Sequence, residues 1–505
     1  MNTGWKALLG TLVVLGLCVL LLHRKAPAPT ATTQAPGKVR QHLVLYCAAG
    51  LKQPVDEVAQ EYGRRYSVEI EPQYQGSGTL LSSLTVTHTG DLFLAADQSY
   101  LDLAREKNLV EEVIPLARMR PVIGVAKGNP KHIRGLDDLL RKEVRVALGS
   151  PEAASIGRLT EELLTKSGHW ERLKEAAVVF KPTVTDLAND LKIGSVDAAI
   201  LWDATANQYP EIEAVRVPVF DKATKDVLIG VLKSCKQPTA ALRFCRYLGA
   251  RDKGLKTFAE HGYEVVEGDV WAERPEILFY SGGVNRVAIE DTVHEFEARE
   301  GCSISTVYNG CGILVGQMKA GGRPDAYMAC DVSFVPPVAD LFLEPQDIAS
   351  TEIVMLVPKG NPLGLRTFRD LARPGLKLGL ANPEQSTLGA LTKRLLEEQG
   401  IYAQVWKNVK TSTPTADLLV NQLRAGTGSL DAVVVYKANC GKLGETLEIV
   451  YLPDKNAKAT QPITAAKATK CPHLVARLIA DIESAKSKKR FLSKGFHWVA
   501  PEPKQ

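Results

Sequence analysis

The sequence predicts an α/β fold built from two consecutive copies of one domain, and three observations point there. Short apolar runs rich in β-forming residues alternate with stretches of helical period. The chain repeats its own pattern, in order, once. Turns of small residues recur where a strand hands over to a helix.

The repeat shows best in "YQGSGTLL", Tyr74 to Leu81, which returns as "YNGCGILV", Tyr308 to Val315. Gly76 and Gly78 become Gly310 and Gly312, and Ser77 between them becomes Cys311. Tyr46 likewise matches Tyr280, Asp91 matches Asp325 and Asp97 matches Asp331, within "GDLFLAADQSYL" and "PDAYMACDVSFV". Further on, "KGNP" at Lys127 recurs at Lys359, "SPEAASIGRLTEELL" becomes "NPEQSTLGALTKRLL", and "VDAAILW" becomes "LDAVVVY". A period this long implies duplication of a whole domain, not a solenoid of small units.

Within the first copy, "HLVLYCAA" reads as a buried strand, followed by a helix carrying Val55, Val58, Ala59 and Tyr62 on one face. "SVEIEPQY" alternates as a strand does, and the Gly-Ser-Gly turn opens a helix at Leu80, Leu81 and Leu84. "GDLFLAA", "VRVALGS" and "DAAILW" add strands, with the helix "SIGRLTEELLTKSG" after the second. Such alternation predicts mostly parallel sheets with helices on both faces. Ligands of such folds bind beyond the carboxyl ends of the strands.

The chain ahead of the repeats has a different character. Residues 1–24 carry an uncharged apolar run from Ala7 to Leu22, ending in His23, Arg24 and Lys25. We expect an N-terminal transmembrane helix anchoring the chain, with a cleaved signal peptide as the alternative. Residues 25–40, rich in Pro, Ala and Thr, read as a linker. The two domains then occupy 41–270 and 271–505. This order implies a periplasmic or otherwise extracytoplasmic protein held to the cytoplasmic membrane.

The 505 residues carry a net charge of only +5, with 24% charged and 45% hydrophobic residues, which gives no nucleic-acid footprint. The nine cysteines form no C-x-x-C motif, and no histidine pair has helical spacing, so no cation site is expected. Cys235 with Cys245, Cys302 with Cys311 and Cys330 with Cys440 are pairings open to the sequence, which does not choose among them. No catalytic residue is expected. His88, His132, His169 and His261 stand in unrelated contexts, and Cys311, although in a glycine loop before a helix, has no evident base.

The strand-to-helix turns are the candidate site. In the first copy they hold Ala49-Gly50, Gly76-Ser77-Gly78, Ala154-Ser155-Ile156-Gly157 and Thr183-Val184-Thr185, without a lysine, arginine or histidine. Exposed N–H groups at helix starts carry about half a positive charge and bind anions without cationic side chains. Glycine would let a ligand approach the backbone, and Ser or Thr adds a donor. Asp91, Asp97, Asp325 and Asp331 would repel an anion and are expected to serve caps or turns instead.

"LYCAAGLKQPVDEVAQEY", "GSGTLL", "GDLFLAADQSYLDLAREKNLV" and "VDAAILWDA" resemble the molybdate-binding periplasmic proteins of ABC importers. The resemblance covers nearly all of the first copy and, more weakly, the second. It implies two tandem type II periplasmic binding-protein domains, each with two lobes closing over a tetrahedral oxyanion. It places ligand-binding positions at Gly50, Ser77, Ile156, Val184 and Trp202, and at Val284, Cys311, Leu388, Thr415 and Tyr436. Gly50, Val284 and Cys311 replace serines of the family pattern, and Trp202 replaces a tyrosine. The expected function is membrane-tethered capture of a molybdate- or tungstate-like anion, with no other cofactor, for an ABC importer. The expected partners are its membrane subunits or another inner-membrane protein. The alternative is a non-transport sensor or interaction module with degenerate clefts.

Overall fold

The computed structural model describes residues 41–425, 429–441, 443 and 445–502. The expected membrane helix and linker lie outside these residues, and among the described residues no helix is long and apolar enough to cross a membrane.

The first repeat folds into two sheets. One holds, in spatial order, Glu264–Val265, Val110–Met119, Lys225–Leu232, Leu92–Ala95, Gln41–Ala48 and Val68–Gln75. The other holds Ala177–Lys181, Val146–Gly149, Ala198–Trp202, Pro121–Ala126 and Ile212–Val215. The second repeat follows the same plan, but its sheets are joined through one long strand, Gln346–Pro358. That strand pairs with Lys458–Ala465 in one lobe and with Ala432–Tyr436 in the other. In the first repeat the equivalent strand is interrupted at Arg120, because Pro121 has no N–H to continue the ladder. Ile353 stands there in the second repeat, and its N–H donates to Ala457 O at 2.7 Å.

The expectation of mostly parallel sheets is corrected. Gln41–Ala48 and Leu92–Ala95 pair in parallel, as do Val146–Gly149 and Ala198–Trp202. The strands that cross between lobes or return from them pair antiparallel: Lys225–Leu232 on both its neighbours, and Pro121–Ala126 on both of its own. Parallel pairs come from strand–helix–strand runs inside a lobe, whereas a segment arriving from the other lobe enters from the opposite direction.

Local signals behave as the residues dictate. The Lys52–Tyr66 helix buries Val55, Val58, Ala59 and Tyr62, and ends where Ser67 turns left-handed (φ 56°) and donates to Gly63 O. Asp97 caps its helix by accepting Ser99 N–H at 2.8 Å, and Asp331 accepts Ser333 N–H at 3.1 Å. Asp91 and Asp325 accept the N–H of Val44 and Leu278, each at 2.9 Å. Asp97 and Asp331 are caps, as expected, whereas Asp91 and Asp325 each bind a neighbouring strand 47 residues away in the chain.

Each repeat has its own apolar core, yet the described residues from His42 onward form one compact unit. A buried charge cluster joins the repeats. Glu300 of the second repeat, 2% exposed, lies 3.0 Å from Arg246 Nη1 of the first and 2.7 Å from Arg477 Nε of the second. A buried carboxylate is tolerated only when paired in this way.

Candidate anion cleft

The first repeat's lobes meet over a narrow cleft of about 10 Å³, lined by residues of four strand-to-helix turns. Gly50, Ser77, Ile156, Val184 and Trp202 all line it, so the structure brings together the five positions selected from sequence. Three helices begin at its wall: Ser77–Thr87, Ser155–Lys166 and Val184–Lys192. The residues ahead of the first two, Gly76 and Ala154, supply no side-chain cap, whereas Thr183 caps the third by accepting Asp186 N–H. None of the lining residues is charged. The wall therefore attracts through backbone dipoles and hydroxyls, not through side-chain charge.

Ser77 is buried, and its Oγ accepts the Ala96 N–H at 3.3 Å. That contact orients the hydroxyl while leaving its hydrogen to donate elsewhere. Trp202 is fully buried and its Nε1–H has no partner, so the indole holds a free donor at the cleft. Gly50 has no room for the serine of the family pattern: a Cβ there would stand 2.7 Å from Val184 Cγ1. The sequence reading named Ser155 in its turn but missed Gln75, Ala96 and Ala48 as lining residues. Ala96 was within reach of it, since it precedes the capping Asp97 in the repeated segment.

The loop glycines also make room for backbone of the other lobe. A Cβ on Gly76 would stand 2.3 Å from Ala153 O, and one on Gly78 would stand 2.1 Å from Glu152 O. Gly78 N–H also donates to Ala153 O at 2.9 Å, across the cleft. The glycines thus admit the opposite lobe's backbone. The second repeat repeats this contact, with Gly310 against Gln385 O and Gly312 against Glu384 O at 2.2 and 2.0 Å by the same measure.

The second cleft has different chemistry. Val284, Cys311, Leu388 and Tyr436 are buried and Thr415 is half-buried. Thr415 also stands close to the Val284 turn, its Cγ2 3.6 Å from where a Gly283 Cβ would lie. Where the first repeat has Ser77 and Ala96, the second has Cys311 and Cys330, Sγ to Sγ 3.2 Å. The Tyr436 hydroxyl is buried without a hydrogen-bond partner, and the buried hydroxyls of Tyr327 and Thr387 face the Cys311 sulfur. Burial pushes the Tyr436 and Tyr327 hydroxyls well up, so both stay protonated donors. The eight cysteines from Cys47 to Cys471 are all free thiols, and none of the pairings open to the sequence is formed among them.

A family model for the bacterial extracellular solute-binding protein matches residues 43–264 and, a second time, 277–497. The chain belongs to the bacterial extracellular solute-binding protein family. Two members' worth of family sequence in one chain agrees with the duplicated fold. Among related solute-binding proteins, the molybdate-binding protein ModA of Mycobacterium bovis is 27% identical over 248 residues, 48% of this chain and 90% of that protein. A Haemophilus influenzae chain named only as a binding protein is 29% identical over 222 residues, 44% of this chain and 90% of its own. The solved substrate-binding domain of a molybdenum ABC transporter from Clostridium difficile is 25% identical with a TM-score of 0.36, covering 45% of this chain and 99% of that one.

Proposed function

We propose that the first repeat captures a small tetrahedral oxyanion of the molybdate and tungstate type on the extracytoplasmic side, for delivery to the membrane subunits of an ABC importer. One observation carries this reading: three helix starts and the Ser77 hydroxyl face one uncharged cleft. Such a wall gathers N–H donors without a charged side chain, which suits an ion that is all acceptor. The molybdate-binding relatives and the importer named with the Clostridium protein support the same substrate class and partner. The apolar run from Ala7 to Leu22 supports tethering to the membrane. Thermal unfolding of the purified chain with millimolar molybdate, tungstate or sulfate, against chloride, tests the proposal. Stabilisation by the oxyanions alone supports it, and an unchanged transition in all four salts contradicts it.

The second cleft favours a different reading for its own repeat, because Val284 and Cys311 remove both hydroxyls of the family pattern. There we place no oxyanion. A sensor or interaction role for the tandem as a whole predicts that affinity capture from membranes returns a signalling protein instead of transporter subunits.

A further inference from the structure

Cys311 and Cys330 hold equivalent positions to Ser77 and Ala96, and one contact demonstrates it. Ala96 N–H donates to Ser77 Oγ at 3.3 Å, and Cys330 N–H donates to Cys311 Sγ at 3.1 Å. The second repeat has thus placed two sulfurs where the first has a hydroxyl and a methyl group. They are 0% and 5% exposed and stand 3.2 Å apart, in hydrogen-bond contact with each other. A disulfide needs about 2.05 Å, so closing the bond takes a displacement of about 1.2 Å.

The two thiols are unequal. Cys311 is the first residue of the Cys311–Lys319 helix, where the helix dipole favours a negative sulfur. Burial pushes the Cys311 thiol up, but contacts from Cys330, Thr387 and Tyr327 outweigh it and bring the thiol below its ordinary value. The contact with Cys311, then burial, drives Cys330 well up, so Cys311 is the thiol of the pair that ionises first. Cys47, Cys235, Cys245, Cys302, Cys440 and Cys471 are all pushed up, chiefly by burial.

We propose that Cys311 and Cys330 are a dithiol–disulfide couple that exchanges with a small-molecule disulfide when the second repeat's lobes part. Cys311 lies on the lobe opposite Thr387, and Gly310 packs on the Gln385 carbonyl, so separation of the lobes uncovers the sulfur. The Cys311 thiolate attacks one sulfur of the incoming disulfide and expels one thiolate, leaving a mixed disulfide. That thiolate takes the Cys330 proton. Cys330 sulfur then attacks Cys311 Sγ, closes the bond and expels the second thiolate, which takes up from solvent the proton that Cys311 released on ionising. Two thiols are oxidised and one disulfide is reduced to two thiols. This couple is independent of oxyanion capture in the first repeat.

The test uses the full chain, reduced and then equilibrated with oxidised glutathione, alkylated with iodoacetamide and mapped by mass spectrometry. We expect a Cys311–Cys330 linked peptide that dithiothreitol reverses, with the six other described cysteines alkylated. Cys330→Ser is expected to stall as glutathione on Cys311, and Cys311→Ser, which restores the first repeat's residue, to leave Cys330 unmodified. Alkylation of both cysteines in the oxidised wild-type chain overturns the proposal. So does a linkage of either one to another cysteine, or a bond that dithiothreitol cannot reverse in the folded chain.

Discussion

Arg120 and Asp203 meet where the chain crosses between the lobes of the first repeat. Arg120 Nε lies 3.3 Å from Asp203 Oδ2, and Arg120 N–H donates to Asp203 Oδ1 at 3.1 Å. The second repeat keeps the contact with the signs exchanged: Lys437 Nζ lies 2.9 Å from Glu352 Oε2. Both pairs flank the strand pairing that sets Trp202 and Tyr436 at their clefts. Geometry at this crossing has been retained while the residues traded charge.

Arg120, which also pairs with Glu264 at 2.8 Å, holds two carboxylates, so Arg120→Glu alone sets three together and is expected to lower stability by about 1–2 kcal/mol. Adding Asp203→Lys should recover part of the loss, because the second repeat already folds with that arrangement. A coupling of about 0.5–3 kcal/mol in a double-mutant cycle of urea unfolding is the expected result. Strict additivity of the two changes would show that the crossing pair does not act as a pair.

Gly78→Ala separates closure from folding. Gly78 has no left-handed backbone to protect, and its added methyl would meet only the opposite lobe, at Glu152 O. We expect an almost unchanged thermal transition but oxyanion affinity weakened by at least about tenfold, equivalent to about 1.4 kcal/mol. X-ray scattering should show the variant failing to contract when anion is added. Equal affinity in both proteins would return these glycines to ordinary turn chemistry.

Glu300 gives a pH signature. Burial pushes its carboxyl up, yet Arg477 and Arg246 outweigh burial and hold it below the usual carboxylate range. A depressed folded pKa contributes stability that is present above the unfolded value, about 4.3, and is lost as pH falls through the folded value. Glu300→Gln, which leaves two buried guanidiniums without their counter-charge, should cost about 3–5 kcal/mol at neutral pH. Urea unfolding should show that gap narrowing only below about pH 4.3. A gap independent of pH would assign the loss to packing instead.

The duplication and the positions of the cleft were legible because a repeated pattern carries its own alignment. Ser77 and Cys311 mark the same helix start in both copies, and the structure brings Gly50, Ile156, Val184 and Trp202 to the first of them. Contacts through space were not legible. Nothing near Gly78 in the chain announces Glu152 O, and nothing near Arg120 announces Asp203. Strand direction was misread for a related reason: local periodicity fixes that Lys225–Leu232 is a strand, but its orientation depends on which lobe the chain has just left. Cys330 stood in the repeated segment opposite Ala96, yet only the fold turns it toward Cys311.

Isothermal titration of molybdate into the purified wild-type and Ser77→Ala chains probes the first cleft most directly. The predicted result is saturable binding of one anion per chain, weakened about 10- to 100-fold by Ser77→Ala through loss of about 1.5–3 kcal/mol of hydrogen bonding to a charged ligand. No heat from the wild-type chain, or binding that Ser77→Ala leaves untouched, would contradict it.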